Sequence, residues 1–275
     1  MLPDSRTLTV HGGEVPYYSF PAFDRVDFVR HGFSTRLGGV SVGTFASMNL
    51  GFNRGDDDAA VGENYRRFCA AIGVKAEDVV LPAQTHTVNV YNATAADRGR
   101  GITRERGYTD VDGLITDEPN VVLCTHYADC VPLLFVDSVR RVVATSHAGW
   151  RGTVGGIGQV TVEQMVRDYG CDPTNILVGI GPSIGRCCFE VDTPVIDEFA
   201  KLSFFDGDCY TDDQNGKYHI DLWEVNRRYL LQAGVDAQNI TLTDVCTRCH
   251  PDKLWSHRFC GNDRGSLAAF IAITE

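Results

Sequence analysis

The chain has 275 residues, of which 43% are hydrophobic and 22% charged, with a net charge of −11. A chain this long buries a sizeable core, and its composition is that of a globular protein rather than a disordered or membrane-spanning one. The acidic balance speaks against a general nucleic-acid binder, because phosphate neutralisation needs clustered Lys and Arg, yet it leaves room for a small anion in a local basic pocket.

The opening Met-Leu-Pro-Asp-Ser-Arg-Thr lacks the basic segment and apolar core of a secretory signal, so a cytoplasmic location with no membrane partner is expected. The ten cysteines are scattered from Cys69 to Cys260, which reads as reduced thiols rather than a disulfide framework.

Residues 8–10 and 17–20 read as short strands around His11-Gly12-Gly13, and 26–34 as a third. The third runs into Ser34-Thr-Arg-Leu-Gly-Gly-Val-Ser41. There Gly38 and Gly39 permit positive φ and close approach of backbone to a ligand. Arg36 beside them is either an anion clamp or a solvated loop arginine. Residues 61–72 carry helical spacing, with Tyr65, Phe68, Cys69 and Ile72 on one face and Gly73 as C-cap. A strand at 79–82 is followed by Gln84-Thr-His86, a polar break before the pattern resumes at 88–91. Such a break can present a side chain to a site, and His86 sits in it. Residues 97–109, polar and rich in Gly and Arg, read as an exposed loop. Residues 111–116 and 121–125 read as strands.

Two β-type runs, 131–136 and 141–146, flank the polar segment 137–140, as in a hairpin. A turn centred between Ser138 and Val139 places Cys130 directly opposite His147, with Cβ atoms roughly 4.5–5.5 Å apart on one face. A thiolate and an imidazole so placed can share a metal ion at about 2.3 and 2.0–2.1 Å. The alternative is a small buried thiol beside a hydrogen-bonded histidine. The glycines at 149, 152, 155 and 156 then lead into a helix at 157–169 closed by Gly170. A glycine-rich helix entry suits either an anion or a tight turn. Strands at 176–180, 240–245 and 268–273 and helices at 194–201 and 222–233 complete the chain. Strands dominate early and alternate with helices later. The expected architecture is therefore α/β, a single domain over residues 1–275 with mixed β-sheets flanked by helices.

His86, Cys130 and His147 form the strongest chemical set, although spacing alone does not connect His86 to the other two: three N and S ligands with a vacant fourth position describe a catalytic zinc, which activates water or polarises an oxygen. Copper fits less well. A His₂Cys copper site commonly adds Met, and Met1, Met48 and Met165 lie in no motif near these residues. A multicopper oxidase also needs more copper-binding histidines than eight scattered ones. A metal-free reading makes Cys130 a nucleophile activated by His147. Asp129 is adjacent, but strand alternation sends its side chain the other way. Cys246-Thr-Arg-Cys249-His250, with His257 and Cys260, could bind a structural zinc. The neighbours Cys187 and Cys188 are expected to point apart and share no metal. Arg258 and Arg264, with Arg36, bring positive charge that could form an anion pocket.

Thr35-Arg-Leu-Gly-Gly39, Ser47-Met-Asn-Leu50, Gln84-Thr-His86, Asp112-Gly113, Ala128-Asp-Cys130, His147-Ala-Gly-Trp-Arg-Gly152, Gly181-Pro-Ser-Ile-Gly-Arg-Cys187 and Ser256-His-Arg258 resemble the YfiH-like proteins, which carry polyphenol oxidase and laccase-domain labels. The motifs run in family order from about residue 30 to 265; Gly261-Asn-Asp-Arg264 departs from a Thr-Gly-Arg-like ending. The resemblance implies a YfiH-type α/β fold and a zinc ion on His86, Cys130 and His147. It implies purine nucleoside phosphorylase activity toward adenosine, inosine, guanosine and methylthioadenosine, with adenosine deamination. Phosphate and nucleoside are then the partners, with Arg36, Asn49 and Arg258 as substrate or phosphate contacts and Asp112 as a candidate proton shuttle. The alternatives are a metal-dependent amidase editing a peptidoglycan precursor, a cysteine hydrolase using Cys130, and a non-catalytic protein with structural zinc.

Overall fold

The central hairpin, Val131–Asp137 and Val142–Ala148, is buried along its whole length, so both of its faces must be covered. In the computed structural model, which describes residues 2–275 and leaves Met1 outside, this requirement sets the layering. Leu134, Val136 and Val143 point into a core shared with Phe33, Leu123, Ala269 and Ile271 of a second sheet. Leu133, Phe135 and Ala144 on the opposite face meet Ile157, Val162, Met165 and Leu230 from helices. A third core lies beyond the second sheet, where Val61, Tyr65, Phe68 and Ile72 cover Val122, Cys124, Ala268 and Phe270. The order of layers is helix, sheet, sheet, helix.

Both large sheets have six strands and both are mixed. One runs Thr9–His11, Tyr17–Ser19, Val29–Ser34, Leu267–Ile273, Val122–Tyr127, Val79–Val80; only its last pair is parallel. The other runs Ile240–Leu242, Ile176–Ile180, Val131–Asp137, Val142–Ala148, Gly113–Thr116, Val90–Asn92, with parallel pairs at its two edges. The expected α/β architecture of mixed sheets flanked by helices is thus present. The helix Asp58–Ile72 starts on the Asp57 side chain, which accepts from Ala59 N–H at 3.0 Å, and ends at Gly73 in left-handed geometry. Ile157–Tyr169 closes in the same way at Gly170.

Two features depart from the sequence reading. Glu190–Asp192, Tyr210–Asp212 and Lys217–Ile220 form a small antiparallel sheet whose short, charged strands carry no clear alternation. The hairpin register also differs, because the turn lies further along the chain: Pro132, not Cys130, opposes His147. The shift is two residues. Side chains alternate with period two, so Cys130 stays on the face of Pro132 and His147 as a diagonal neighbour. That face is the inner one, between the sheets.

Phe270 is fully buried, its ring 4.8 Å from that of Phe68 and 6.0 Å from that of Tyr65. Phe270→Ala is expected to lower unfolding free energy by about 3–5 kcal/mol, through lost burial and a residual cavity, as read by urea titration. A change below about 1 kcal/mol would contradict this picture of the third core.

Candidate metal centre and substrate cavities

His147 ends the inner face of the hairpin, and Cys130 enters it one residue before the strand begins. His86 arrives from elsewhere, in the loop between Val79–Val80 and Val90–Asn92, with φ at 67°. The three side chains meet at the open end of the sandwich, with ligand atoms all within 4.8 Å of one another and Cys130 Sγ 4.0 Å from His86 Nε2.

One carboxylate arranges two of the three. Asp112, fully buried just before the strand Gly113–Thr116, accepts from His147 Nδ1–H at 2.8 Å. That bond leaves Nε2 free for a metal. The same carboxylate accepts the backbone N–H groups of Thr85 at 3.0 Å, His86 at 3.1 Å and Thr87 at 2.8 Å, and the Thr87 hydroxyl at 2.9 Å. Burial alone would raise its pKa, but His147 and these donors outweigh burial and hold it down at about 2. This carboxylate lies outside both cavity walls and holds the chain segments that carry His86 and His147.

Gln84 fixes the loop from its other side by pairing with His126 like a strand, its amide donating to the His126 carbonyl and accepting from its N–H at 2.9 and 2.8 Å. Gly149 completes the fit: a Cβ there would lie 2.5 Å from His86 Cδ2 and 3.2 Å from Cys130 Sγ. Burial pushes the Cys130 thiol up, but His147 and His86 outweigh it and bring it to about 6. Burial pushes His147 down, and Cys130 followed by Asp112 raises it to about 9. Both shifts favour the charged forms, thiolate and imidazolium, facing each other.

These donors suit a zinc ion. Tetrahedral bonds of 2.3 Å to sulfur and 2.0–2.1 Å to nitrogen separate the donors by about 3.6 Å, a small inward step from 4.0 Å. The single soft thiolate, two imidazoles and a carboxylate behind one of them match that metal.

Two cavities share His86, Ala128, Cys130 and Arg264 in their walls. The first, of about 310 Å³, is basic, with Arg54, Arg106, His126 and Ser266. Arg264 is only 8% exposed; burial, then Arg54, pulls its pKa down to about 10. The Nε–H groups of Arg106 and Arg264 are both buried without a hydrogen-bond partner. The second cavity, of about 350 Å³, is more apolar, with Trp150, Ile184, Phe189 and Leu222 beside His257 and Arg258.

The other sequence candidates fall on and around these walls. Arg258 lines the second cavity, donating through Nη1 to the carbonyls of Cys188 and Glu190. Arg36 lines neither: its guanidinium serves the carbonyls of Ala46 and Pro251 and stacks 3.7 Å over Trp255. Asn49 is buried behind the first cavity, holding Asp56, Gly51 N–H and Ser266 N–H. Gly38 and Gly39 approach the backbone of Glu14 and Ser47, which explains their lack of side chains without a ligand. The glycine-rich segment after the hairpin forms a five-residue helix, Trp150–Val154, that brings Trp150 to the second cavity. Asp129 precedes the strand with φ at 85°, so strand alternation does not set its direction; its carboxylate binds the Thr247 hydroxyl and Arg258 N–H, both at 2.6 Å. Arg54, Arg106 and His126 were not read as site residues, since they lie outside the chemical motifs and Arg106 falls in the loop that composition marked as exposed.

Residues 30–274 match the profile of the family described as "Multi-copper polyphenol oxidoreductase laccase". The chain is 36% identical over 245 residues to the purine nucleoside phosphorylase YlmD of Bacillus subtilis (strain 168), covering 89% of this chain and 88% of that one. It is 37% identical over 252 residues to a protein named adenosine deaminase RL5, from an unknown prokaryotic organism, covering 88% and 95%. The crystal structure of a hypothetical protein YfiH from Bacillus licheniformis superposes with a TM-score of 0.91 at 33% identity, covering 96% of this chain and 99% of that one.

Asp112→Asn should lower zinc affinity by about 10–100-fold while the protein stays folded. Competition against a fluorescent zinc chelator, with circular dichroism as the folding control, measures this. Affinity equal to wild type would remove Asp112 from the support of the metal.

Proposed function

The chain belongs to the multi-copper polyphenol oxidoreductase laccase family, and from that premise we propose that it is a zinc-dependent purine nucleoside phosphorylase. Its substrates in this reading are adenosine, inosine, guanosine or methylthioadenosine with inorganic phosphate. The observation that carries the reading is the meeting of a basic and a more apolar cavity at one His–Cys–His cluster. Relatives named for this activity and for adenosine deamination support it.

Copper oxidation is disfavoured by the donors. Met48 and Met165 are buried in cores on the outer sides of the two sheets, so neither is the axial ligand of a His₂Cys copper site. Among the described residues, one metal-sized cluster combines cysteine with histidine, whereas a multicopper enzyme needs several copper sites. Bound to His86, Cys130 and His147, zinc supplies a Lewis acid for a phosphate or substrate oxygen.

The protein's own groups do the rest. Arg54, Arg106 and Arg264 line the basic cavity, where they receive phosphate and balance its charge. The purine lies against Trp150, Ile184 and Phe189, and Arg258 reaches a polar edge of the nucleoside. The sugar then bridges the shared wall, with phosphate placed against the anomeric carbon as the C–N bond to the base breaks. Asn49 acts one layer back by holding Gly51 and Ser266, and Arg36 by bracing the loop at Ala46. A second reading rests on a different observation: Asp112, His147 and Cys130 also have the order of acid, base and nucleophile found in cysteine hydrolases.

Adenosine and phosphate incubated with zinc-loaded protein should give adenine and ribose 1-phosphate, followed by chromatography. Absence of turnover on all four nucleosides would sink the phosphorylase reading. Arg264→Gln should raise the KM for phosphate by about ten- to a hundred-fold, the worth of a charge-assisted hydrogen bond, with zinc content unchanged. An unaltered KM would refute its phosphate role. Activity that survives metal removal but not thiol alkylation would favour the cysteine-hydrolase reading.

A further inference from the structure

Four more cysteines converge outside this centre. Cys187 and Cys188 follow the strand Ile176–Ile180, and Cys246 and Cys249 follow Ile240–Leu242. These two strands are parallel neighbours, so their following loops lie side by side. Loop contact is tight: Ser183 and Cys246 form a bridge, and Thr247 N–H donates to the Ser183 carbonyl at 3.0 Å. Cys187 and Cys188 were expected to point apart, which holds for a strand. They sit instead on a turn, where the N–H groups of Cys188 and Phe189 both donate to the Gly185 carbonyl at 3.0 Å. Successive side chains on such a turn diverge less than on a strand, and both thiols reach one point.

The sulfur atoms are separated by 3.6 Å for Cys187 and Cys188, 3.6 Å for Cys187 and Cys249, and 3.5 Å for Cys188 and Cys249. All four sulfurs lie within 4.8 Å of one another, while His257 and Cys260 are not in the group. A disulfide needs about 2.05 Å, and joining one pair would leave the other two thiols packed against it. One zinc ion with four thiolates at 2.3 Å spaces them by about 3.8 Å along each tetrahedral edge. The observed spacings fall close to that value. An all-sulfur donor set selects zinc over hard cations, and the backbone N–H of Gly185, 3.3 Å from Cys246 Sγ, is placed to stabilise thiolate charge.

We propose that Cys187, Cys188, Cys246 and Cys249 form a second, closed zinc site with a structural role. Four protein ligands leave no open position for substrate, in contrast to the His–Cys–His cluster. The ion staples the loop that carries Ile184 and Phe189, part of the wall of the more apolar cavity, to the loop that follows Ile240–Leu242. Ile184 N–H donates to the Asp129 carbonyl at 2.9 Å, Thr247 binds the Asp129 side chain, and Ile184 and Phe189 line the cavity. Asp129 precedes Cys130, so the second site supports the chain segment that presents the first site's thiolate.

Elemental analysis of the full chain, purified with zinc and without chelator, tests this. Two zinc ions per wild-type chain are expected, falling to one in Cys249→Ser and to a different one in His86→Ala. Cobalt-substituted His86→Ala should show the intense sulfur-to-cobalt charge-transfer absorption of a tetrathiolate, a readout that requires no cysteine variant to fold. Zinc content equal in wild type and folded Cys249→Ser would overturn the proposal, as would a Cys187–Cys249 disulfide found by mass spectrometry. Absence of the cobalt bands would do the same. The two sites separate cleanly: zinc lost only in His86→Ala speaks for the substrate centre alone, and zinc lost only in Cys249→Ser for the staple alone.

Discussion

The site depends on a buried carboxylate. Asp112 has no contact with solvent, and five donors surround it: one imidazole, three backbone N–H groups and one hydroxyl. A buried charge is tolerable only when its lone pairs are so fully used. In return it ties together two pieces of chain that no strand pairing would hold in register, the loop bearing His86 and the hairpin end bearing His147. Removing the charge disturbs both ligands at once, because one oxygen of the carboxylate serves His86 N–H and His147 Nδ1–H together.

Around this anchor, the layering decides where the open space lies. Two sheets packed face to face fill their shared interior with Leu134, Val136, Val143, Leu123 and Ala269. The same inner face turns polar toward one end, where Thr145 and Thr125 share a 2.6 Å hydrogen bond and His147 follows. Loops rather than strands close that end, and they leave a basic cavity on one side of Cys130 and a more apolar one on the other. The protein is acidic overall, yet three arginines face the first cavity. A low-dielectric wall makes such local charge count for more than the net balance.

The polar residues outside the cavities divide the work of holding loops. Arg36 spends its donors on carbonyls and its face on Trp255, and Asn49 spends its amide on the segment carrying Gly51 and Ser266. Asp129 secures both the Cys246–Cys249 segment and the start of the helix His257–Cys260, which carries Arg258. A side chain with its hydrogen-bonding capacity committed inside the protein has little left for a ligand. Arg36 is committed in this way and lines neither cavity, whereas Arg106 and Arg264 line the basic one.

Much of this was legible in the amino-acid order. Periodicity located the helix Ile157–Tyr169 and the strand Ile176–Ile180, because a sustained apolar pattern and a closing glycine are local signals. Alternation put Cys130 and His147 on one face, and the two-residue register shift left that result intact because the period is two. Family-ordered motifs joined His86 to them, which spacing alone did not do. The rest needed the fold. Arg54, Arg106 and His126 lie on separate segments and become neighbours only when the sheets pack, and Cys187 meets Cys249 only because two parallel strands place their loops side by side. Local order determines which face a side chain takes; how distant segments meet is set by packing, because contact between them is paid for by burial rather than by any local preference.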